Sequence, residues 1–229
     1  MDAYSYIKKE IITGNLLPGS IFNEADIISK LKVSRTPVRE AVLKLASEGY
    51  LTIIPRKGTI ISNISFNDVS QVYEYRFMLE PEICSKAAPI MDKSLCLKWK
   101  EYFNNLLLNK KSKPPVNDSD DDIDKLFHLS ISQSLNNNLI NKDIAHLMDL
   151  SQRIRFLSNK QNEQRYIASI NEHISILDAI IKGDCNLARE MMKKHLKNTV
   201  EGYWNGFSTY IIKASWNYVY YDSTWFYFS

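Results

Sequence analysis

Cysteine is scarce in this chain. Cys84, Cys96 and Cys185 are odd in number, widely spaced, and form no C-x-x-C pair. That excludes a disulfide framework and a thiolate zinc site, and it points to a reducing compartment. There is no run of about eighteen apolar residues, so no membrane span is expected. The start, Met1-Asp2-Ala3-Tyr4-Ser5, lacks the basic-then-apolar pattern of an export signal. The expectation is a soluble cytoplasmic protein. Net charge is also small: +3 excludes a chain uniformly coated by nucleic acid, so any charge that meets nucleic acid must be local. No internal repeat is present. Histidine is rare as well, with only four, which makes their positions informative.

What is there suffices for a core. At 229 residues there is room for one large or two small domains, and 45% hydrophobic residues can fill them. The charge is unevenly spread. Residues 1–65 hold nine Lys/Arg against six Asp/Glu, so they carry the whole excess and the remainder is neutral. A basic reader joined to a neutral partner domain has this asymmetry.

The most informative stretch is Val33-Ser34-Arg35-Thr36-Pro37-Val38-Arg39-Glu40-Ala41-Val42. Ser34 can cap a helix, since its hydroxyl can accept from a backbone N–H that lacks an intrahelical partner. Pro37 falls in the first turn, where its missing N–H costs little. Arg35 and Arg39 are four apart and share one helix face, while Val38, Val42 and Leu45 form the apolar one. Arg is well suited to bidentate contact with guanine edges and phosphates. Upstream, Glu24 to Leu31 reads as a short helix and Lys32-Val33 as a tight turn, which is helix-turn-helix spacing. Downstream, Tyr50–Ile54 and Thr59–Ser62 are β-rich runs joined by the basic turn Pro55-Arg56-Lys57-Gly58. A helix-turn-helix followed by such a hairpin is a winged helix.

These residues, together with Pro18-Gly19, Glu24, Glu48-Gly49-Tyr50-Leu51 and Lys57-Gly58, resemble the DNA-binding domain of the GntR family of bacterial transcription regulators. The resemblance implies that Ser34, Arg35, Thr36, Pro37 and Arg39 meet DNA from the recognition helix. Arg56, Lys57 and Gly58 would meet it from the wing.

Beyond the wing the pattern is helical throughout. Ser65 caps a new helix with Asp68 as its partner, and Pro81 kinks that helix rather than ending it, because the apolar pattern continues through Ile83 and Ala87. Further helices are expected over 94–108, 121–135, 139–157, 166–182 and 186–203. A polar connection fills 110–120, and Gly183-Asp184 pairs a C-cap with the next N-cap. The expected fold is therefore mainly α. A winged helix-turn-helix spans 1–64, an all-α bundle 65–203, and an aromatic extension of uncertain structure 204–229. Tyr73-Glu74-Tyr75-Arg76 with Leu79-Glu80, then Asp124 to His128 with Asn137, then Glu172-His173, Ala179-Ile180, Gly183-Asp184, Ala188, Met191-Met192 and His195-Leu196 resemble the FadR-type C-terminal effector domain, FCD.

Three of the four histidines converge with one aspartate on a candidate metal site. Asp124 and His128 are i and i+4, stacked on one helix face. His173 and His195 are each eleven residues from Asp184, so an antiparallel hairpin turning there sets them side by side. Imidazole and carboxylate suit Zn²⁺, Ni²⁺, Fe²⁺ or Mn²⁺ and do not name one. The alternative is four unrelated polar residues. The FCD resemblance implies a divalent cation with open positions for a ligand, and because only neutral imidazole ligates, its binding is expected to weaken as pH falls through the histidine range. It also implies that Arg76 faces the cavity and holds a carboxylate; the competing reading is an ordinary ion pair with Glu80. Asn137 and Arg153 are further effector-pocket candidates. His146 fits no motif position.

Two functions follow. The first is a transcription regulator, expected to be a homodimeric repressor on a palindromic operator, controlled by a small organic acid. The second is a metal-dependent hydrolase built on the Asp/His₃ set. Glu172 is its only adjacent base, and it points about 100° away from His173 on a helix. Twelve of the last 27 residues are aromatic, a large ring surface to leave in water, so the tail either packs on its own domain or on a partner subunit, or is a sticky, poorly ordered extension outside the fold. Trp216, Tyr218 and Tyr220 alternate as in a strand.

Overall fold

The computed structural model describes residues 1–109, 114–115, 122–157 and 163–214, with backbone alone at 157 and 203–214. The first helix, α1 (Ala3–Ile12), forms because Ala3, Ile7 and Ile11 recur at helical spacing and bury together, while Asp2 caps it by accepting from Ser5 N–H at 2.9 Å. A two-residue strand, β1 (Ile21–Phe22), precedes α2 (Glu24–Leu31), which Asn23 caps. Lys32 adopts a left-handed φ of 54° and turns the chain into α3 (Arg35–Ser47). The hairpin follows as β2 (Leu51–Ile54) and β3 (Gly58–Ile61). All strands are antiparallel in the order β1-β3-β2, with Ile21 opposite Ile60 and Ile54 opposite Gly58. Strand β1 was not expected, because two residues are too short to show alternation. Ile7, Ile11, Val38, Leu45, Tyr50 and Ile61 make the heart of this core.

The bundle starts at α4 (Phe66–Ala87). Its capping box is complete: Ser65 Oγ accepts from Asp68 N–H at 3.2 Å, and Asp68 Oδ2 accepts from Ser65 N–H at 2.7 Å. Pro81 lies buried inside α4 without ending it. Then come α5 (Lys93–Leu107), α6 (Ile123–Gln133), α7 (Asn138–Leu157), α8 (Glu163–Lys182) and α9 (Cys185–Ala214). Helix α9 runs past Tyr203 because no proline or capping pair interrupts 203–214. The expected strand at Trp216, Tyr218 and Tyr220 lies outside the described residues. Helix α9 packs against α4 and α8, α8 against α5, and α6 against α7. At the centre, Trp99 stacks on Phe103 at 5.5 Å and Phe127 meets Phe103 edge-on at 5.3 Å. No described helix is long and apolar enough to cross a membrane.

Gly14 adjoins the C-cap of α1 with φ of 75°, and the Phe156 ring of α7 covers it so closely that an added Cβ would fall 1.8 Å from a ring carbon. Gly14→Ala is expected to cost about 1–3 kcal/mol through the left-handed backbone alone, and to push the ring aside. Urea unfolding checks this, and a loss below measurement error would contradict it.

Candidate DNA-reading face and metal centre

Ser34 stands at the N-cap of α3 with extended backbone, but its side chain makes no capping bond. The expected capping hydroxyl is not engaged. With Arg35 at the first helical position, Pro37 is the third and offers no N–H, which removes one of the two amides a cap can meet, and the other, Thr36 N–H, receives no bond from Ser34. Ser34, Arg35, Thr36, Pro37 and Arg39 are all exposed, and Val38 between them is buried. Arg35 and Arg39 line a hollow of about 320 Å³ with Glu24, Ile28, Val42 and Thr59. Arg56, at a φ of 64°, Lys57 and Gly58 are exposed at the tip of the hairpin. Among the described residues, none of these four basic side chains makes an ion pair, so their charge faces outward.

The metal candidates converge. One ligating atom each from Asp124, His128, His173 and His195 lie within 4.8 Å of one another. Helix α6 supplies the first two, and Asp124 Oδ1 is 3.7 Å from His128 Nε2. Helices α8 and α9 supply the others, joined by Gly183 with φ of 72° and by Asp184, whose carboxylate accepts from Leu187 N–H at 2.9 Å. That turn is what sets the two rings 4.6 Å apart. His173 Nε2 is 3.3 Å from Asp124 Oδ1. All three imidazoles are buried, and His173 lies on the rings of Phe127 and Phe103, at 4.5 and 5.2 Å.

Two carboxylates orient the rings from behind. Glu80 Oε2 is 2.5 Å from His128 Nδ1, and Glu172 Oε2 is 2.8 Å from His195 Nδ1. The Glu172 bond favours a proton on His195 Nδ1 and leaves its Nε2 lone pair facing the cluster, while Glu80 sets its charge beside His128 Nδ1, which makes no hydrogen bond. His128 Nε2 and His173 Nε2 are buried without a hydrogen-bond partner. Orphaned imidazole nitrogens beside a carboxylate are a donor set that a divalent cation satisfies, so the residues fit such an ion.

The electrostatics agree. Burial pushes His173 down to about 3, and it lowers His195 as well, so these two rings stay neutral and ligating. Burial alone would raise the Asp124 carboxyl, but Arg155 and His173 hold it well below the usual range. Glu80 and Glu172 face the same opposition and settle at about 2. Arg76 and His128 hold the first; Arg165, His195 and Asn198 hold the second.

The effector candidates are not gathered in one place. Arg76 is 1% exposed and engaged: Nε and Nη2 donate to Glu80, and Nη1 to Ser151 Oγ at 3.1 Å and Tyr73 Oη at 3.3 Å. Of its two readings, the Glu80 ion pair is the contact present, and it backs His128. Asn137 is exposed and caps α7, accepting from Leu139 and Ile140 N–H at 3.0 and 3.2 Å. Arg153 is buried and donates to the Ser62 carbonyl beyond the wing. His146 sits edge-on to Tyr50 at 6.1 Å. Glu172 accepts from Arg165, Asn198 and His195 together, which leaves no lone pair for a catalytic base. The orienting role of Glu80 and Glu172 was not foreseen. The only signal was the placement of each acid four residues from Arg76 or next to His173.

Comparison with known proteins agrees with both halves. Residues 1–61 match the bacterial regulatory proteins of the gntR family, and residues 71–198 match the FCD domain. The HTH-type transcriptional repressor RspR of Escherichia coli K12 is 25% identical over 200 residues, covering 86% of each chain. The uncharacterized HTH-type transcriptional regulator YdhC of Bacillus subtilis is 26% identical over 212 residues, covering 86% of this chain and 88% of its own. E. coli McbR/YncC has the same fold, with a TM-score of 0.69 at 18% identity over 90% of this chain and 96% of that one. RspR and YdhC are named as transcription regulators, and nothing in these comparisons supports the hydrolase reading. The chain belongs to the GntR family of bacterial transcription regulators, with an FCD domain behind its DNA-binding head, and it is a DNA-binding regulator rather than an enzyme.

Proposed function

We propose that the protein is a cytoplasmic repressor whose grip on a palindromic operator is set by a small organic acid bound at a divalent cation in the FCD domain. The observation that supports this most is the cluster of Asp124, His128, His173 and His195, with ligating atoms within 4.8 Å and two orphaned Nε2 atoms. An ion that prefers six positions, such as Ni²⁺, Fe²⁺ or Mn²⁺, would keep two for a bidentate carboxylate, whereas tetrahedral Zn²⁺ would be closed by the four side chains. Arg76 serves this site through Glu80, whose carboxylate it fixes against His128. Arg153 and Asn137 support it at a distance, through the wing and through the start of α7. Repression is the sign carried by the name of RspR. Two copies reading two half-sites follow from two-fold pairing with DNA, and mass in solution tests the dimer.

Arg35→Ala and Arg39→Ala are each expected to weaken an operator selected from random duplex DNA by about 1–3 kcal/mol per lost base contact, roughly 5- to 150-fold. Lys57→Ala should weaken every sequence alike and reduce the salt slope by about one. Fluorescence anisotropy at several salt concentrations measures both. Parent-like affinity in both Arg variants would sink the recognition-helix assignment.

A further inference from the structure

Helix α7 touches both halves of the molecule. On one stripe, spaced as helix neighbours are, it meets the winged domain. His146 faces Tyr50, Asp149 Oδ2 lies 2.9 Å from Lys8 Nζ, Leu150 packs on both cores, Arg153 reaches the Ser62 carbonyl, and Phe156 covers Gly14. On its other side it meets the histidine cluster. Ser151 accepts from Arg76, which holds Glu80 against His128, and Arg155 pairs with Asp122 and lies 3.5 Å from Asp124 Oδ2. The two sides join at one group. Asp149 is 6% exposed, and its Oδ1 accepts from Lys125 Nζ at 2.8 Å. Lys125 is the residue after Asp124 on α6, and Lys8 belongs to α1 of the reading head.

We propose that Asp149 is the joint that carries the state of the cluster to the DNA-reading head, by holding Lys125 of the sensor and Lys8 of the winged domain on one buried carboxylate. This rests on the reading of the cluster as a divalent-cation site. Asp124 is shared between His173, at 3.3 Å, and Arg155, at 3.5 Å. A cation held by Asp124 and His173 together would compete with Arg155 for the Asp124 carboxylate, and would so shift the turn of α6 that carries Lys125. Charge-assisted bonds in a buried place are short and directional, so Asp149 cannot follow Lys125 without changing its hold on Lys8. The cluster then favours one seating of the head over another, which is the differential contact any such coupling requires. The apolar contacts of Leu150 and Phe156 hold the two halves together whichever seating is adopted.

The test is linkage, since DNA must change metal affinity by the factor by which metal changes DNA affinity. Full-length protein is titrated with chelator-buffered Mn²⁺ and Zn²⁺, with and without the selected operator duplex. In the parent, metal saturation is expected to change operator affinity about tenfold, within the usual range for coupled sites. Lys8→Met and Lys125→Met are each expected to bind metal and operator but to shrink that factor to about twofold or less, and both lie outside the reading face and the ligand set. Two variants on opposite sides of Asp149 guard against one of them misfolding. A parent-sized factor in either folded variant, or a parent that binds metal with no factor at all, overturns the joint alone. A parent that binds neither ion overturns the reading of the cluster and this proposal with it.

Discussion

Glu80→Ala is expected to destabilise the protein by about 3–5 kcal/mol, the cost of breaking a buried ion pair and leaving one partner charged. Arg76 and Glu80 are 1% and 3% exposed, so removing the carboxylate leaves the guanidinium charge without its counter-ion in a buried place. Tyr73 and Ser151 remain as neutral acceptors and do not cancel a charge. The double variant Arg76→Leu/Glu80→Leu is expected to cost less than the single one, because apolar side chains of similar volume replace a buried pair at little loss. Urea unfolding of both decides, and a single variant within about 1 kcal/mol of the parent would remove the buried pair from the account. The pH dependence has a definite sign. Glu80 sits at about 2 in the folded protein against an ordinary 4.5. Its contribution is therefore complete above pH 4.5 and drains away as pH falls toward 2, because below 4.5 the unfolded chain takes the proton first. Glu80→Gln should lack that part of the acid transition.

The second large effect is loss of the metal. His173→Ala/His195→Ala removes two of four ligands and should leave protein purified without a histidine tag with no stoichiometric Mn, Fe, Ni or Zn by elemental analysis. The winged domain has its own core and should still bind operator. Stoichiometric metal in the double variant would show that the cluster is not the site. In the parent, burial alters the expected pH response. Three ordinary imidazoles would make log affinity fall with a slope of about three below pH 6.5, since only the neutral ring ligates. His173 is held at about 3, so protons do not compete there in this range, and burial lowers His195 as well. With His173 out of range, the slope between pH 5 and 6.5 is expected not to exceed about two; a slope near three would mean that the rings titrate as if exposed.

Features set by neighbours along the chain were readable in the sequence. The Ser65–Asp68 box, the Gly183-Asp184 turn and the i, i+4 pair Asp124/His128 need only local spacing. The meeting of His173 with His195 needed one further step, equal distance from that turn. What could not be read depends on distant partners. Lys8 and Asp149 are far apart in the chain, and no periodicity links them. Arg153 looked like a pocket residue because nothing local reveals that Ser62 will sit beside it. Asn137 matched a motif position, yet its amide oxygen is used by the next helix. Ser34 is the instructive local failure. It suits a cap by residue type, but Pro37 three positions on removes one of the two amides such a cap can meet, and the hydroxyl does not take up the other.

That deletion has a consequence for binding kinetics. The recognition helix starts with its remaining first-turn amides uncapped by any side chain. In the free protein water must serve them, and on an operator a phosphate oxygen can. The first turn of α3 is therefore worth more in the complex than in the free protein. It should fray when alone and tighten on contact, so that part of the affinity for any duplex is spent on finishing the helix before a base is read. Amide exchange at Arg35 and Thr36 would then report arrival on DNA earlier than it reports arrival on the right sequence.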